Sequence, residues 1–243
     1  MFKQTLSIAR RNMAFYATFI LCSVGASIFD EYSGGSASAG ATFILMSILS
    51  MNVQNSVLRD QNFTAAAKGR KLPFAGYMFR SVALTLGGFM IMLPILVILL
   101  KLNDLGKAYV GLWATLAFLV TLTIVFSLFG TWLPARLHGT NASIGDALRR
   151  GLKRFPSTAS LIFLGLAVPL VAGVIVGILA SSVRGTDLIV NGQLNIPVVV
   201  ASLVSNALQM IGWTYVSVLL ARRYMVAEHI EPPPSTELLT ALT

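Results

Sequence analysis

The 243-residue sequence predicts an all-α membrane protein: six transmembrane helices arranged as three hairpins, each hairpin preceded by an amphipathic cytoplasmic helix at the membrane interface. Three observations carry this. Hydrophobic residues make up 56% of the chain and charged residues 11%, whereas a soluble domain carries about 25% charged residues. Six apolar runs are long enough for the ~20 residues of helix that cross a bilayer. Of the 18 Lys and Arg residues, all but Lys101, Lys107 and Arg184 fall on one side of the resulting topology, and the positive-inside rule makes that side cytoplasmic.

The spans are expected at 13–29, 37–58, 81–100, 108–133, 158–183 and 196–221, within a membrane domain covering residues 1–227. The first is short and follows Lys3, Arg10 and Arg11. It has some features of a signal peptide, but Ala37-Ser38-Ala39 lies too far beyond the apolar run to be its cleavage site. An even number of spans puts both termini in the cytoplasm. The net charge of +9 is spread over juxtamembrane segments with no recognition motif, so it reads as membrane topology rather than nucleic-acid binding.

Each odd-numbered span follows a stretch with helical periodicity. Phe2, Leu6, Ala9 and Met13 form a stripe opposite Lys3 and Arg10. Residues 64–74, with Lys68, Arg70 and Lys71, repeat the pattern weakly. In the third copy Ser143 caps a helix with Asp146 three residues on, in a capping-box pattern. Ile144, Ala147, Leu148, Leu152 and Phe155 then share one face, and Arg149, Arg150, Lys153 and Arg154 suit anionic lipid headgroups on the other. Starts near residues 1, 64 and 143 suggest a repeat of about 70 to 80 residues.

Inside the spans, Gly165, Pro169, Gly173, Gly177 and Ser181 recur every four residues and mark a helix-packing groove, expected to serve contacts within the monomer. Asn52, Gln54, Asn55, Asn206 and Gln209 are the neutral polar residues that could bridge helices or line a polar cavity. The spans so drawn contain no ionisable residue, which disfavours a proton-driven transporter. Cys22 is expected to be a buried apolar residue, and His138 and His229 to be solvated at the interface. Asn191-Gly192 between short apolar segments predicts a β-hairpin on the outer side. Pro232, Pro233 and Pro234, followed by Leu238, Leu239 and Leu242, predict an extended cytoplasmic tail over 228–243.

The segment Ser143-Ile-Gly-Asp-Ala-Leu-Arg-Arg-Gly-Leu-Lys-Arg-Phe before the fifth span and Leu219-Leu-Ala-Arg-Arg-Tyr closing the sixth resemble poorly characterised six-span families of bacterial inner-membrane proteins. These include the membrane region attached to some glycerophosphodiester phosphodiesterases. The resemblance implies a non-enzymatic membrane component and supplies no catalytic residues. No metalloprotease, paired Cys or His, P-loop or nucleophile-elbow motif occurs, and no cofactor is expected. The expected function is therefore that of an accessory or structural component of the bacterial inner membrane, meeting lipid and a membrane-protein partner. The rival is a transporter or lipid-handling protein whose site lies between odd helices interrupted by Pro94 and Pro169.

Overall fold

The computed structural model describes residues 1–69, 71–102 and 110–230. Arg70, Asp104, Lys107 and the proline and leucine motif at 232–242 lie outside them. Six helices are long and apolar enough to span a membrane, and the protein is an all-α, multi-pass membrane protein.

In chain order these six are α2 (Met13–Ser33), α3 (Ser38–Arg59), α5 (Phe74–Leu102), α6 (Val110–Phe129), α9 (Phe155–Arg184) and α10 (Ile196–Ala227). Between them lie α1 (Phe2–Arg11), α4 (Phe63–Ala67), α7 (Trp132–His138) and α8 (Ile144–Lys153), with β1 (Ile189–Val190) and β2 (Gln193–Leu194) before α10. The boundaries correct the sequence reading: four spans are longer than their apolar runs, whereas α6 ends at Phe129, short of the expected 133, because α7 is a separate helix. α2 continues through Asp30 and Glu31 to a left-handed Gly34. α5 starts early enough to include Arg80, and α10 runs past Arg222 and Arg223. Ionisable residues therefore do lie on the spanning helices, near their ends. At 1.5 Å per residue the 32 residues of α10 extend for about 48 Å, well beyond a ~30 Å hydrocarbon core.

Pro94 and Pro169 sit inside helices that continue on both sides, so neither helix is interrupted. The weak amphipathic copy at 64–74 is a single short helix, α4, because Gly69 takes a positive φ of 72° and Pro73 disfavours helix at the residue before it. The hairpin forms as expected: Ile189 pairs with Leu194 and Val190 with Gln193, while Asn191 and Gly192 both adopt the positive φ that a tight two-residue turn demands.

The contacts divide the chain into two units. The first comprises Met1–Ser56, Gln61–Ala66 and Gly165–Val218; the second comprises Val57–Asp60, Ala67–Leu164 and Leu219–Thr243.

The first unit is held by neutral hydrogen bonds between helices and by two carboxylates at its loops. Thr214 Oγ1 on α10 donates to its own Met210 carbonyl (2.7 Å), so the Tyr16 hydroxyl on α2 donates to Thr214 at 2.6 Å. Ser23 Oγ donates to Asn206 Oδ1 (2.8 Å). Asp30 joins α2 to α3 by accepting the N–H groups of Ala37 (3.0 Å) and Ser38 (2.6 Å). Glu31 accepts the N–H groups of Leu188 (3.0 Å) and Ile189 (2.7 Å), pinning the hairpin. These two carboxylates stabilise loops as backbone acceptors, a use that their position after an apolar run does not announce.

α9 and α10 approach closely in the first unit through small residues. Pro169 lacks an N–H, which frees the carbonyl of Gly165 four residues earlier. Gly212 lies against that oxygen, so a side chain there would begin 2.6 Å from it and 2.9 Å from the Pro169 ring. The arrangement places a glycine Cα–H against a carbonyl that Pro169 cannot serve as a helix donor.

In the second unit α5 packs on α6 through Phe89 and Phe118, whose ring centroids are 5.3 Å apart, and α8 packs on α6 through Gly151. A Cβ at Gly151 would run into the Leu128 carbonyl oxygen, so only glycine permits this approach.

Candidate functional site: a basic cleft beside α8

α8 begins where the sequence places it. Ser143 is the N-cap: its hydroxyl accepts the Asp146 N–H (3.2 Å), while its own backbone N–H donates to Asp146 Oδ2 (2.9 Å). The Ser143 side chain, then its backbone N–H, hold the Asp146 carboxyl below its usual range, against a smaller desolvation effect and with help from Arg150 and Arg149.

The face that α8 buries is the small one, Ala147 and Gly151, with Ile144 and Leu152 left exposed. α1 buries Thr5 and Ile8, while Phe2 and Leu6, with Met13 at the start of α2, are exposed. In α8 the buried face is small, in α1 it holds one polar and one apolar residue, and in both helices other large apolar residues point away from the protein, as suits an interfacial helix.

Arg150 lies one residue from Gly151 and three from Ala147, so it turns inward with them, and its side chain is 11% exposed. Its Nη1 donates to Glu228 Oε1 (2.6 Å), its Nε to Thr131 Oγ1 (3.3 Å), and its guanidinium lies 5.4 Å from the Tyr224 ring centroid. Tyr224 is fully buried, with its hydroxyl 3.1 Å from Thr140 Oγ1 and 3.4 Å from His138 Nδ1. Nearby, Arg80 donates to the Trp132 carbonyl (2.6 Å) and lies 4.7 Å from that residue's ring centroid.

Beside Arg150 is a cleft of about 200 Å³ lined by Lys153 and Arg154, Thr158 from the first turn of α9, and Arg223 and His229 from α10 and the turn after it. Arg223 Nη2 donates to Ser157 Oγ (3.0 Å). Arg150 Nη2 and Arg223 Nε are both buried and have no partner among the described residues.

The residues expected to contact headgroups thus separate. Arg149 is exposed and does not line the cleft, Arg150 is turned inward, and Lys153 and Arg154 line the cleft rim. Arg223 and Thr158 join them although no local pattern links them to α8. The signal that existed was the Ala147, Arg150, Gly151 spacing, which puts an arginine on a helix face small enough to pack.

The packing stripe also separates. Gly165 lies against Tyr215, with 2.6 Å between its Cβ position and the ring, and Gly173 lies against Ser205, whose hydroxyl donates to the Gly173 carbonyl (3.2 Å). Pro169 meets Gly212 as described. Gly177 has no neighbour within 4 Å of its Cβ position, and with Ser181 it lines an open groove of about 470 Å³. Gly177 is therefore not a packing glycine, because the α9 to α10 approach ends short of it.

The five polar residues are not brought together. Asn206 lines that groove with Ser27, Ser202 and Ser205. Asn55 donates to the Ala66 carbonyl (3.1 Å), Asn52 donates to the Ile48 carbonyl of its own helix (2.9 Å), and Gln209 is exposed. Gln54 is fully buried with neither amide atom partnered among the described residues. Cys22, expected inside, is exposed on α2 beside Leu21, because α2 packs on protein along part of its circumference.

Among the described residues no group of three or more His, Cys, Asp or Glu could hold a metal ion. No family model, curated protein or solved structure matches the chain. The fold and the cleft define an integral membrane protein with a concentrated basic site.

Proposed function

We propose that the chain is a non-enzymatic accessory or structural component of a bacterial inner membrane, associating with anionic lipid and with a membrane-protein partner. The observation that carries this reading is how the span polar groups are used. Tyr16 with Thr214, Ser23 with Asn206, and Asp30 with Ala37 and Ser38 are each occupied in joining one element to another, which is the role of polar glue between membrane helices. The unbroken course of α5 and α9 through Pro94 and Pro169 weakens the case for a transporter built around interrupted helices. The resemblance of the segments at 143–155 and 219–224 to six-span inner-membrane families points the same way.

Both termini and the loops at 59–80 and 134–157 are cytoplasmic in this reading, on the strength of the basic asymmetry. Reporter fusions at residues 140 and 190 should then give opposite compartment signals. A photo-crosslinker at Val171 or Ile178, both exposed on α9, should give a discrete protein adduct in native membranes. Adducts to lipid alone, together with solute flux in proteoliposomes, would favour the transporter.

A further inference from the structure

We propose that the cleft beside α8 is a binding site for a phosphate oxyanion. Four cations, Arg150, Lys153, Arg154 and Arg223, converge on it from α8, the start of α9 and α10. Glu228 pairs with Arg150 and offsets one of them, leaving three positive charges in one cleft. Asp146, a turn before Arg150, is occupied as the cap of its own helix.

The geometry is specific. Arg150 spends Nε on Thr131 and Nη1 on Glu228, yet its buried Nη2 has no acceptor among the described residues. Arg223 spends Nη2 on Ser157 while its buried Nε has none. A charged donor left without an acceptor in a buried position is costly, and a ligand that accepts from it recovers that cost. Two guanidinium groups from different helices therefore line the same small volume, each with one donor still unspent.

The remaining lining favours the same chemistry. Thr131 and Thr158 bring hydroxyls that can donate to oxygen, while that of Ser127 already donates to the Thr123 carbonyl. Thr158 belongs to the first turn of α9, where the helix dipole favours negative charge. Water could satisfy a single N–H but would leave the charge uncompensated. A tetrahedral oxyanion accepts from several directions at once and matches the planar fork of arginine.

The phosphate can come from an anionic lipid headgroup or from a free phosphate in solution, and the test separates the two. The full chain, purified in neutral detergent, is titrated with inorganic phosphate against chloride at matched ionic strength and followed by thermal unfolding. In parallel, retention of phosphatidic acid over phosphatidylcholine is read by native mass spectrometry. A phosphate-dependent rise in Tm of a few degrees supports a soluble ligand, and selective retention of phosphatidic acid supports a headgroup.

In either case Arg223→Gln and Lys153→Gln should each lower the apparent affinity by about tenfold, and Lys101→Gln, exposed on α5 and outside the cleft, should leave it unchanged. Lys153 lies on the exposed rim, so its variant keeps the test valid should Arg223→Gln fail to fold. Neither phosphate nor phosphatidic acid binding, or equal binding by all three variants and the wild type, would overturn the assignment.

Discussion

The two units manage polar groups in an apolar setting by opposite means. In the first, neutral hydroxyls and amides close on one another across helices, as Tyr16 does with Thr214 and Ser23 with Asn206. In the second, guanidinium groups are held by carbonyls, a hydroxyl, a carboxylate and aromatic faces around Trp132 and Tyr224, and one donor each of Arg136, Arg150 and Arg223 stays unmatched among the described residues. The contrast follows from donor counts. A hydroxyl donates once and can accept, so pairs of hydroxyls and amides can satisfy each other, whereas an arginine brings five donors and no acceptor. A cluster of arginines with too few acidic partners remains open to an anion, and a network of Ser, Thr, Tyr and Asn does not.

The largest expected effect is on helix approach in the second unit. Gly151→Ala drives a Cβ into the Leu128 backbone and should destabilise the protein by about 3 kcal/mol, the upper end of overpacking costs. Gly177→Ala, in open space, should be neutral or slightly stabilising in the same thermal denaturation assay in detergent. In the first unit Gly212→Ala meets the Gly165 carbonyl and the Pro169 ring, and should cost about 2 kcal/mol. Equal tolerance of Ala at residues 151 and 212 would break the view that both units depend on glycine at their closest helix contacts.

Gln54, fully buried with both amide atoms unmatched among the described residues, departs furthest from neutral closure in the first unit, and replacing it sharpens the comparison. Gln54→Met, similar in volume but without the unmatched amide, should raise stability by about 1 kcal/mol. A loss instead would show that the amide has a partner, such as an internal water.

The α8 cap gives a pH signature. Because the Asp146 carboxyl is lowered in the folded state, its contribution is complete above the unfolded value near ~3.9 and is lost as pH falls through the folded value. Asp146→Asn should flatten the acid limb of the stability profile, and Ser143→Ala should cost about 1 kcal/mol at neutral pH. The smallest effect belongs to Tyr16 and Thr214. A double-mutant cycle with Tyr16→Phe and Thr214→Val should give a coupling of about 0.6 kcal/mol, the average for hydrogen bonds between membrane helices. A coupling near zero would mean that neutral closure contributes nothing to stability in the first unit.

Six spans, the capped α8 and the Asn191-Gly192 turn were legible in the sequence, because each rests on information local to a few turns of chain: apolar length, the Ser143 to Asp146 spacing, and two residues that tolerate positive φ. The span ends were less legible. An apolar run marks the hydrocarbon, while a helix continues until a backbone signal such as the left-handed Gly34 stops it. The direction in which Arg150 and Gly177 point was decided by the tertiary structure alone. Helical spacing assigns residues to a face, but whether that face meets a neighbouring helix depends on where the neighbour ends. The cleft is the clearest case. Arg223 and Thr158 reach Arg150 and Lys153 only through the packing of α10 and α9 beside α8, and the unmatched guanidinium donors exist only once that packing has removed water from them.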